Sequence, residues 1–368
     1  MTPVLDFELR TRVVFGPGVF QTLGEHARQL GFQRCLLVAD EGVRQAGYVS
    51  QAVSLLHRAG VETFCFHDFG PNPDTRMVEA GREFAKPHQI DSIIGLGGGS
   101  SLDCAKGINF LLTNGGSMKG YWGWGKAQKP MLPMIGIPTT AGTGSEAQSY
   151  ALISDAETHV KMACGDPKAA FRLALLDPVL ACTAPAMVRA TAGYDAISHA
   201  VETWVTRKRT PISLSFSMQA WQLLNESFER VMAQPQDVDH MGKMLLGSHL
   251  AGMAIEQSML GAAHACANPL TAHYGIVHGT AIGLVLRHVV RWNEVEVGAE
   301  YRQLHPELVK RLSELLECAG LPRRLAEAGV DRKDFPQLAE AAGHQWTGRF
   351  NPRSFDAEAA KEIYEWAW

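Results

Sequence analysis

Ser92-Ile-Ile-Gly-Leu-Gly97-Gly98-Gly99-Ser100-Ser101-Leu-Asp103-Cys-Ala-Lys106 runs from a short apolar stretch through a glycine cluster into a helical pattern. Strand, glycine turn, then helix is the order that sets bare backbone N–H groups and a helix N-terminus against an anion such as a pyrophosphate. Asp103 falls in the first turns of that helix, where it serves either as a carboxylate favoured by the helix dipole or as a cofactor contact. The stretch departs from the common dinucleotide fingerprint. Its sixth position is Ser100 where a glycine is usual, and no acid closes a strand about twenty residues later. The acid suited to that role lies upstream at Asp40, just past the first buried strand. A carboxylate there would bind the adenosine ribose and repel a 2′-phosphate, favouring NAD over NADP.

Upstream, strand and helix patterns alternate. Residues 7–15, 35–39 and 61–66 read as strands, 43–59 and 76–85 as helices, and 70–75, with Asn72, as a turn. This order implies a mainly parallel sheet covered by helices. Downstream, Tyr121-Trp122-Gly-Trp124-Gly125 reads as a loop whose tryptophans serve surface or interdomain packing. A strand at 134–137 then enters Pro138-Thr139-Thr140-Ala-Gly142-Thr143-Gly144-Ser145-Glu146. This second glycine-rich turn, with its several hydroxyls, suits hydrogen bonding to phosphate or amide. A hairpin-like stretch carrying Lys161 and a strand at 173–176 close the half.

From about Pro185 strand patterns vanish. Helical patterns cover 186–205, 212–232, 240–270 and 278–292, then 302–319, 321–328, 332–343 and 356–366. Domains at 1–184 and 185–368 are expected, with chemistry in a cleft between them. The second half holds Asp195 and His199, spaced i and i+4 and so on one helix face. It also holds His264 and His278, 278 − 264 = 14 residues apart, or about 21 Å along an unbroken helix. To share one ion these two need a turn between them, and Pro269 and Tyr274-Gly275 are the interruptions that would supply it.

The composition excludes several classes. With 46% hydrophobic and 20% charged residues the chain is an ordinary globular one, and a net charge of −4 without a dense basic block speaks against nucleic-acid binding. Arg207-Lys208-Arg209 reads as a solvated helix end. Seven scattered cysteines with no C-x-x-C pair point to reduced thiols, and Cys266 reads as a small buried hydrophobe. The N-terminal residues lack a signal-peptide layout and no uncharged apolar run reaches 18 residues, so a cytoplasmic protein without a membrane span is expected.

Over essentially its whole length the chain resembles the iron-dependent, or group III, alcohol dehydrogenases. The resemblance is carried by Phe15-Gly-Pro-Gly18, Gly97 to Asp103, Pro138 to Glu146, Asp195-Ala-Ile-Ser-His199-Ala-Val-Glu202 and His264…Pro269…His278-Gly279. It implies a Rossmann-like α/β dinucleotide-binding domain followed by an all-α metal domain. It also implies a divalent cation, Fe²⁺ with Zn²⁺ in some relatives, held by Asp195, His199, His264 and His278. Gly98, Gly99 and Ser100 would meet the pyrophosphate and Asp40 the ribose, with Asn72, Thr139, Thr140, Lys161 and Leu180 bordering the rest of an NAD. Many members carry a histidine four residues after the first of the 264 group, with a role in proton relay. Here Asn268 stands there and cannot titrate, so His273 is the substitute, the alternative being a proton path through the cofactor ribose and water.

The implied reaction is reversible hydride transfer between NAD(H) and a short primary alcohol or its aldehyde, by a homodimer that uses the 7–15 strand. Phosphonoacetaldehyde reduction is a neighbouring alternative. Maleylacetate-type reductases work without metal and have no need of Asp195. Dehydroquinate-synthase-like lyases need basic residues around a charged substrate, whereas Ala262, Ala263, Ala265, Ala267 and Leu270 beside the ligands are small and apolar.

Overall fold

The computed structural model describes residues 7–368. The chain forms two compact units, an α/β unit of residues 8–140 and 145–184 and a helical unit of Phe7, Ala141–Gly144 and Pro185–Trp368.

In the α/β unit the strands are β1 (Arg12–Phe15), β2 (Arg34–Val38), β3 (Glu62–Phe66), β4 (Ser92–Gly97), β5 (Gly123–Trp124), β6 (Met134–Pro138), β7 (Tyr150–Ser154), β8 (Lys161–Gly165) and β9 (Leu173–Leu176). Its helices are α1 (Leu23–Gln29), α2 (Glu41–Gln45), α3 (Tyr48–Arg58), α4 (Thr75–Ala85), α5 (Gly99–Asn114), α6 (Met118–Tyr121) and α7 (Pro178–Ala181). A parallel sheet in the order β1-β9-β6-β4-β2-β3 forms the core, and β5-β8-β7 make a small second sheet. Alternation along β2 sends Leu36 and Val38 to one face, packed with Val78 of α4 and Ile108 of α5. Cys35 and Leu37 go to the other face, packed with Leu23 of α1 and Leu56 of α3. The chain leaves β2 for β3 at the sheet's edge and returns to β4 on the other side of β2. The strand order therefore reverses between β2 and β4, and a crevice opens beyond their carboxyl ends.

The helical unit contains α8 (Ala186–Val205), α9 (Pro211–Ala233), α10 (Val238–Gln257), α11 (Ala262–Tyr274), α12 (His278–Leu304), α13 (Leu308–Cys318), α14 (Phe335–Gly343) and α15 (Ala357–Ala367). No strand occurs among its described residues, and no helix of the described residues is long and apolar enough to cross a membrane.

Several expected boundaries shift, each for an identifiable reason. The 7–15 strand is only Arg12–Phe15, because its one neighbour, β9, starts at Leu173 opposite Arg12. The 43–59 helix splits into α2 and α3 where Gly47 takes φ 83°, a left-handed conformation. The 240–270 helix breaks at residues 258–261, where Ser258 and Gly261 leave helical geometry. Pro269 does not turn the chain; α11 runs through it and ends at Gly275, whose φ of 67° makes the left-handed cap. The 278–292 helix continues to Leu304 with a break at Val297, and the 302–319 helix starts only at Leu308. The 321–328 segment makes a 3₁₀ turn at Leu325–Ala328.

One buried cation ties the α/β unit together. Lys106 is fully buried, and its Nζ donates to the carbonyls of Ser145 and Tyr150, both at 2.7 Å, and to Ser145 Oγ at 3.1 Å. Asp103 lies 3.8 Å away and accepts from Ser145 Oγ at 2.5 Å. Burial pushes the Asp103 carboxyl above its usual range, an effect that Lys106 and Ser145 oppose. Lys106→Met should therefore cost about 3–5 kcal/mol, the penalty for stranding one member of a buried pair. A fall in the urea denaturation midpoint is the expected result, and adding Asp103→Leu should recover much of it.

Candidate active site

Asp195, His199 and Glu202 occupy positions i, i+4 and i+7 of α8 and so form one stripe, and all three are buried. His264 enters from the first turn of α11, and His278 is the first residue of α12. The turn at Gly275 brings these two helix starts back together. Gly279 lets α12 close on α8, since a Cβ there would stand 2.1 Å from the Thr191 carbonyl oxygen.

Asp195 Oδ1 is buried without a formed hydrogen bond. Three ring nitrogens surround it instead, the Nε2 atoms of His199, His264 and His278 at 3.4, 3.6 and 3.7 Å. The Nε2 atoms of His199 and His264 face each other at 3.2 Å. Bonds of about 2.0–2.1 Å to a tetrahedral ion require donor-to-donor edges of about 3.3–3.4 Å. The observed spacings bracket that value, so the donor set fits a divalent cation. Asp195, His199 and His264 form the tight group, with donors mutually within 4.8 Å. Half-buried His278 completes the set from the Asp195 side.

The charges of the cluster are tightly coupled. Burial works against ionisation of Asp195, yet the imidazoles of His199, His278 and His264 hold its carboxyl below the usual range. Burial, with His264 alongside, lowers His199 to about 4, which leaves a lone pair available. Burial also opposes a charge on His264, but Glu202 and Asp195 outweigh it and raise the group to about 9. Glu202 Oε2 takes the Nδ1–H of His264 in a short hydrogen bond, so Nε2 is the nitrogen turned toward Asp195. Glu202 Oε1 accepts the backbone N–H groups of Gly261 at 3.1 Å and Ala263 at 2.7 Å. Asn351 Oδ1 takes that of Ala262 at 3.2 Å and is itself braced by the Asn293 amide at 3.1 Å.

In the α/β unit the carboxyl ends of β2, β4 and β6 carry a second constellation. Gly97 has φ 145°, and a Cβ there would meet Ser101 Oγ at 2.3 Å and Asp40 Oδ2 at 2.9 Å, so only glycine fits. Gly98 is the N-cap of α5, and no side chain caps that helix, which leaves its first turn to an anion. Asp40 caps α2 through Val43 N–H at 3.0 Å and accepts from Ser101 Oγ at 2.8 Å. Asn72, at φ 53°, donates its N–H to Ser100 Oγ at 3.1 Å. Thr139 N–H donates to the Gly97 carbonyl at 3.0 Å, which places Thr139 and Thr140 against the glycine turn.

Comparison with known proteins gives the family of the chain. The family description "Iron-containing alcohol dehydrogenase" matches residues 10–178, and "Fe-containing alcohol dehydrogenase family, C-terminal" matches residues 189–368. The chain belongs to the iron-containing alcohol dehydrogenase family. It is 32% identical to alcohol dehydrogenase 4 of Schizosaccharomyces pombe, over 99% of this chain and 89% of that one. It is also 32% identical to the 1,3-propanediol dehydrogenase of Klebsiella pneumoniae, over 96% of each chain. Among solved structures it is similar to a 1,3-propanediol oxidoreductase, with a TM-score of 0.95 at 31% identity and full coverage of both chains. It is similar also to sulfoacetaldehyde reductase from Bifidobacterium kashiwanohense in complex with NAD⁺, with a TM-score of 0.90 at 25% identity over 99% of each. The chain is thus an oxidoreductase, with the parallel sheet and helical C-terminal region of that family.

The other residues singled out in this alcohol dehydrogenase have the following neighbours. His273 is exposed, edge-on to Tyr274, and lies half a turn around α11 from His264. The Asn268 amide donates to Gln345 Oε1 at 3.0 Å. Asp103 faces Ser145 and Lys106, Lys161 begins β8, and the Leu180 side chain sits in the sheet core. Ala262, Ala263, Ala265, Ala267 and Leu270 are fully buried, so their small size serves helix packing. Trp122 and Trp124 are half exposed, and Trp124 packs against Tyr150.

Sequence reasoning missed the roles of Glu202, Asn351 and Ser101. The i, i+4, i+7 spacing of Asp195, His199 and Glu202 was the available signal for the first. Asn351 and Ser101 carry none, since their roles arise from distant pairing. Glu202→Gln should weaken Zn²⁺ binding to the metal-free protein about 10–100-fold, the usual cost of losing the carboxylate behind a ligating histidine. Competition against a chelating dye measures it.

Proposed function

We propose that this enzyme transfers hydride reversibly between NAD(H) and a short primary alcohol or its aldehyde, with a divalent cation held by Asp195, His199, His264 and His278. The observation that carries the reading is the buried Asp195 carboxylate facing three imidazole nitrogens at 3.4–3.7 Å, one of them oriented from behind by Glu202. That set suits Fe²⁺, the ion in the family's description, and equally Zn²⁺. When bound, the cation supplies Lewis acidity toward the substrate oxygen and the dinucleotide supplies or accepts the hydride.

The chain's own residues do the positioning. The uncapped start of α5, at Gly98, Gly99 and Ser100, binds the pyrophosphate. Asn72, Thr139 and Thr140 border the same turn, and Lys161, Leu180 and Asp103 border the rest of the cofactor. Asp40 binds the ribose hydroxyls and rejects a 2′-phosphate by like charge. No proton acceptor stands one turn beyond His264, because Asn268 is an amide bonded to Gln345. His273 is the next histidine along that helix and takes the relay role. A short substrate is in keeping with relatives named for methanol in Bacillus methanolicus, 1,3-propanediol in Klebsiella pneumoniae and lactaldehyde in Escherichia coli. Reduced thiols fit a cytoplasmic enzyme, and the exposed edge strand β1 fits a homodimer.

Asp195→Ala and His264→Ala should each abolish alcohol-dependent NADH formation and lower the metal content of the same preparation, with the far-ultraviolet dichroism unchanged. NADH formation by either variant at the rate of the native metal-loaded enzyme overturns the assignment. Asp40→Asn keeps a good helix cap while removing the charge. It should raise the NADP-to-NAD ratio of kcat/KM on the order of tenfold, since like charges a few Å apart near a surface repel by about 1–4 kcal/mol.

A further inference from the structure

The hydroxyl-rich turn after β6 is divided between the two units. Thr139 and Thr140 stay with the α/β unit: Thr139 N–H donates to the Gly97 carbonyl, and a Cβ on Gly98 would stand 3.4 Å from Thr140 Oγ1. Ser145 rejoins that unit, gripped by Lys106 and Asp103. Between these anchors Ala141–Gly144 belongs to the helical unit. Gly142 lies on α8, where a Cβ would come within 2.6 Å of the Ala192 methyl. Gly144, at φ 60°, lies backbone to backbone on α10, where a Cβ would stand 2.7 Å from the Ser248 carbonyl oxygen and 2.8 Å from Gly252 Cα. A Cβ on Gly252 would in turn meet the Gly144 carbonyl oxygen at 2.5 Å. Neither approach leaves room for a side chain. Ala192 stands one turn before Asp195 on α8.

We propose that Ala141–Gly144 is a positioning element that makes dinucleotide and divalent-cation binding cooperative, an inference that rests on the two sites assigned above. One end is covalently continuous with Thr139 and Thr140 at the glycine turn, the other with Ser145, which Lys106 and Asp103 hold on the helix that follows that turn, and its middle is pressed on α8 beside two of the cation's ligands. A pyrophosphate that orders the glycine turn restrains the segment at its first end directly and at its second through α5. The restrained segment then narrows the positions open to α8 between Ala192 and His199. Linkage requires the converse, so a cation that fixes Asp195 and His199 tightens the dinucleotide by the same factor.

The test uses the full-length metal-free protein, Zn²⁺, and ADP-ribose, which carries no nicotinamide charge. Calorimetric titrations of each ligand are run with and without the other, with direct Zn²⁺–ADP-ribose association measured in buffer and subtracted. Each ligand should tighten the other at least about 5-fold, and by equal factors. Gly144→Ala and, separately, Gly252→Ala should bring that factor close to one while each ligand still binds alone. Affinities in the native protein that ignore the other ligand overturn the coupling and leave both sites standing. Coupling that survives unchanged in both variants overturns it as well. Failure of ADP-ribose or Zn²⁺ to bind at all removes the site assignments and this inference with them. Should the variants not fold, the native protein's titrations decide.

Discussion

A carboxylate withdrawn from water must be given opposite charge or strong donors, because its uncompensated burial costs several kcal/mol. Asp195 is such a group, buried among three imidazoles with its Oδ1 in no formed hydrogen bond. The helical unit is arranged to meet that demand. α8 supplies the carboxylate and one histidine from a single rigid stripe, and two further helices begin where their first turns reach it. Each start is set by something other than the histidine it carries. α11 starts where Glu202 and Asn351 take its first N–H groups, and α12 starts where Gly279 allows contact with α8.

The α/β unit solves a different problem with similar economy. Its glycine turn needs a left-handed residue at Gly97 and a helix start left without a side-chain cap. Ser101 then joins the turn to Asp40 across the point where the strand order reverses. Beneath it, buried Lys106 replaces hydration with two carbonyls and a hydroxyl, and thereby fixes the backbone from Ser145 to Tyr150.

The parts of this architecture written in local periodicity were legible before any coordinates. Alternating strands and helices up to Leu176, the glycine turn, and the Asp195–His199 spacing all follow from residues close together in the chain. What local pattern could not show is set by distant partners. The break at 258–261 is invisible in an apolar, helix-forming run, because α11 begins where Glu202, some 60 residues earlier, caps it. Pro269 looked like the interruption between His264 and His278, yet tertiary packing carries the helix past it and the left-handed Gly275 ends it. Residues 7–11 alternate like a strand, but β9 offers them nothing to pair with. The alanines beside His264, small and apolar in the sequence, are fully buried in helix packing.

The two oxygens of Glu202 do separate work, one holding the first turn of a helix and the other holding the proton of an imidazole. One side chain therefore ties the first turn of α11 to the tilt of the His264 ring, so that whatever displaces the Glu202 carboxylate unsettles both at once.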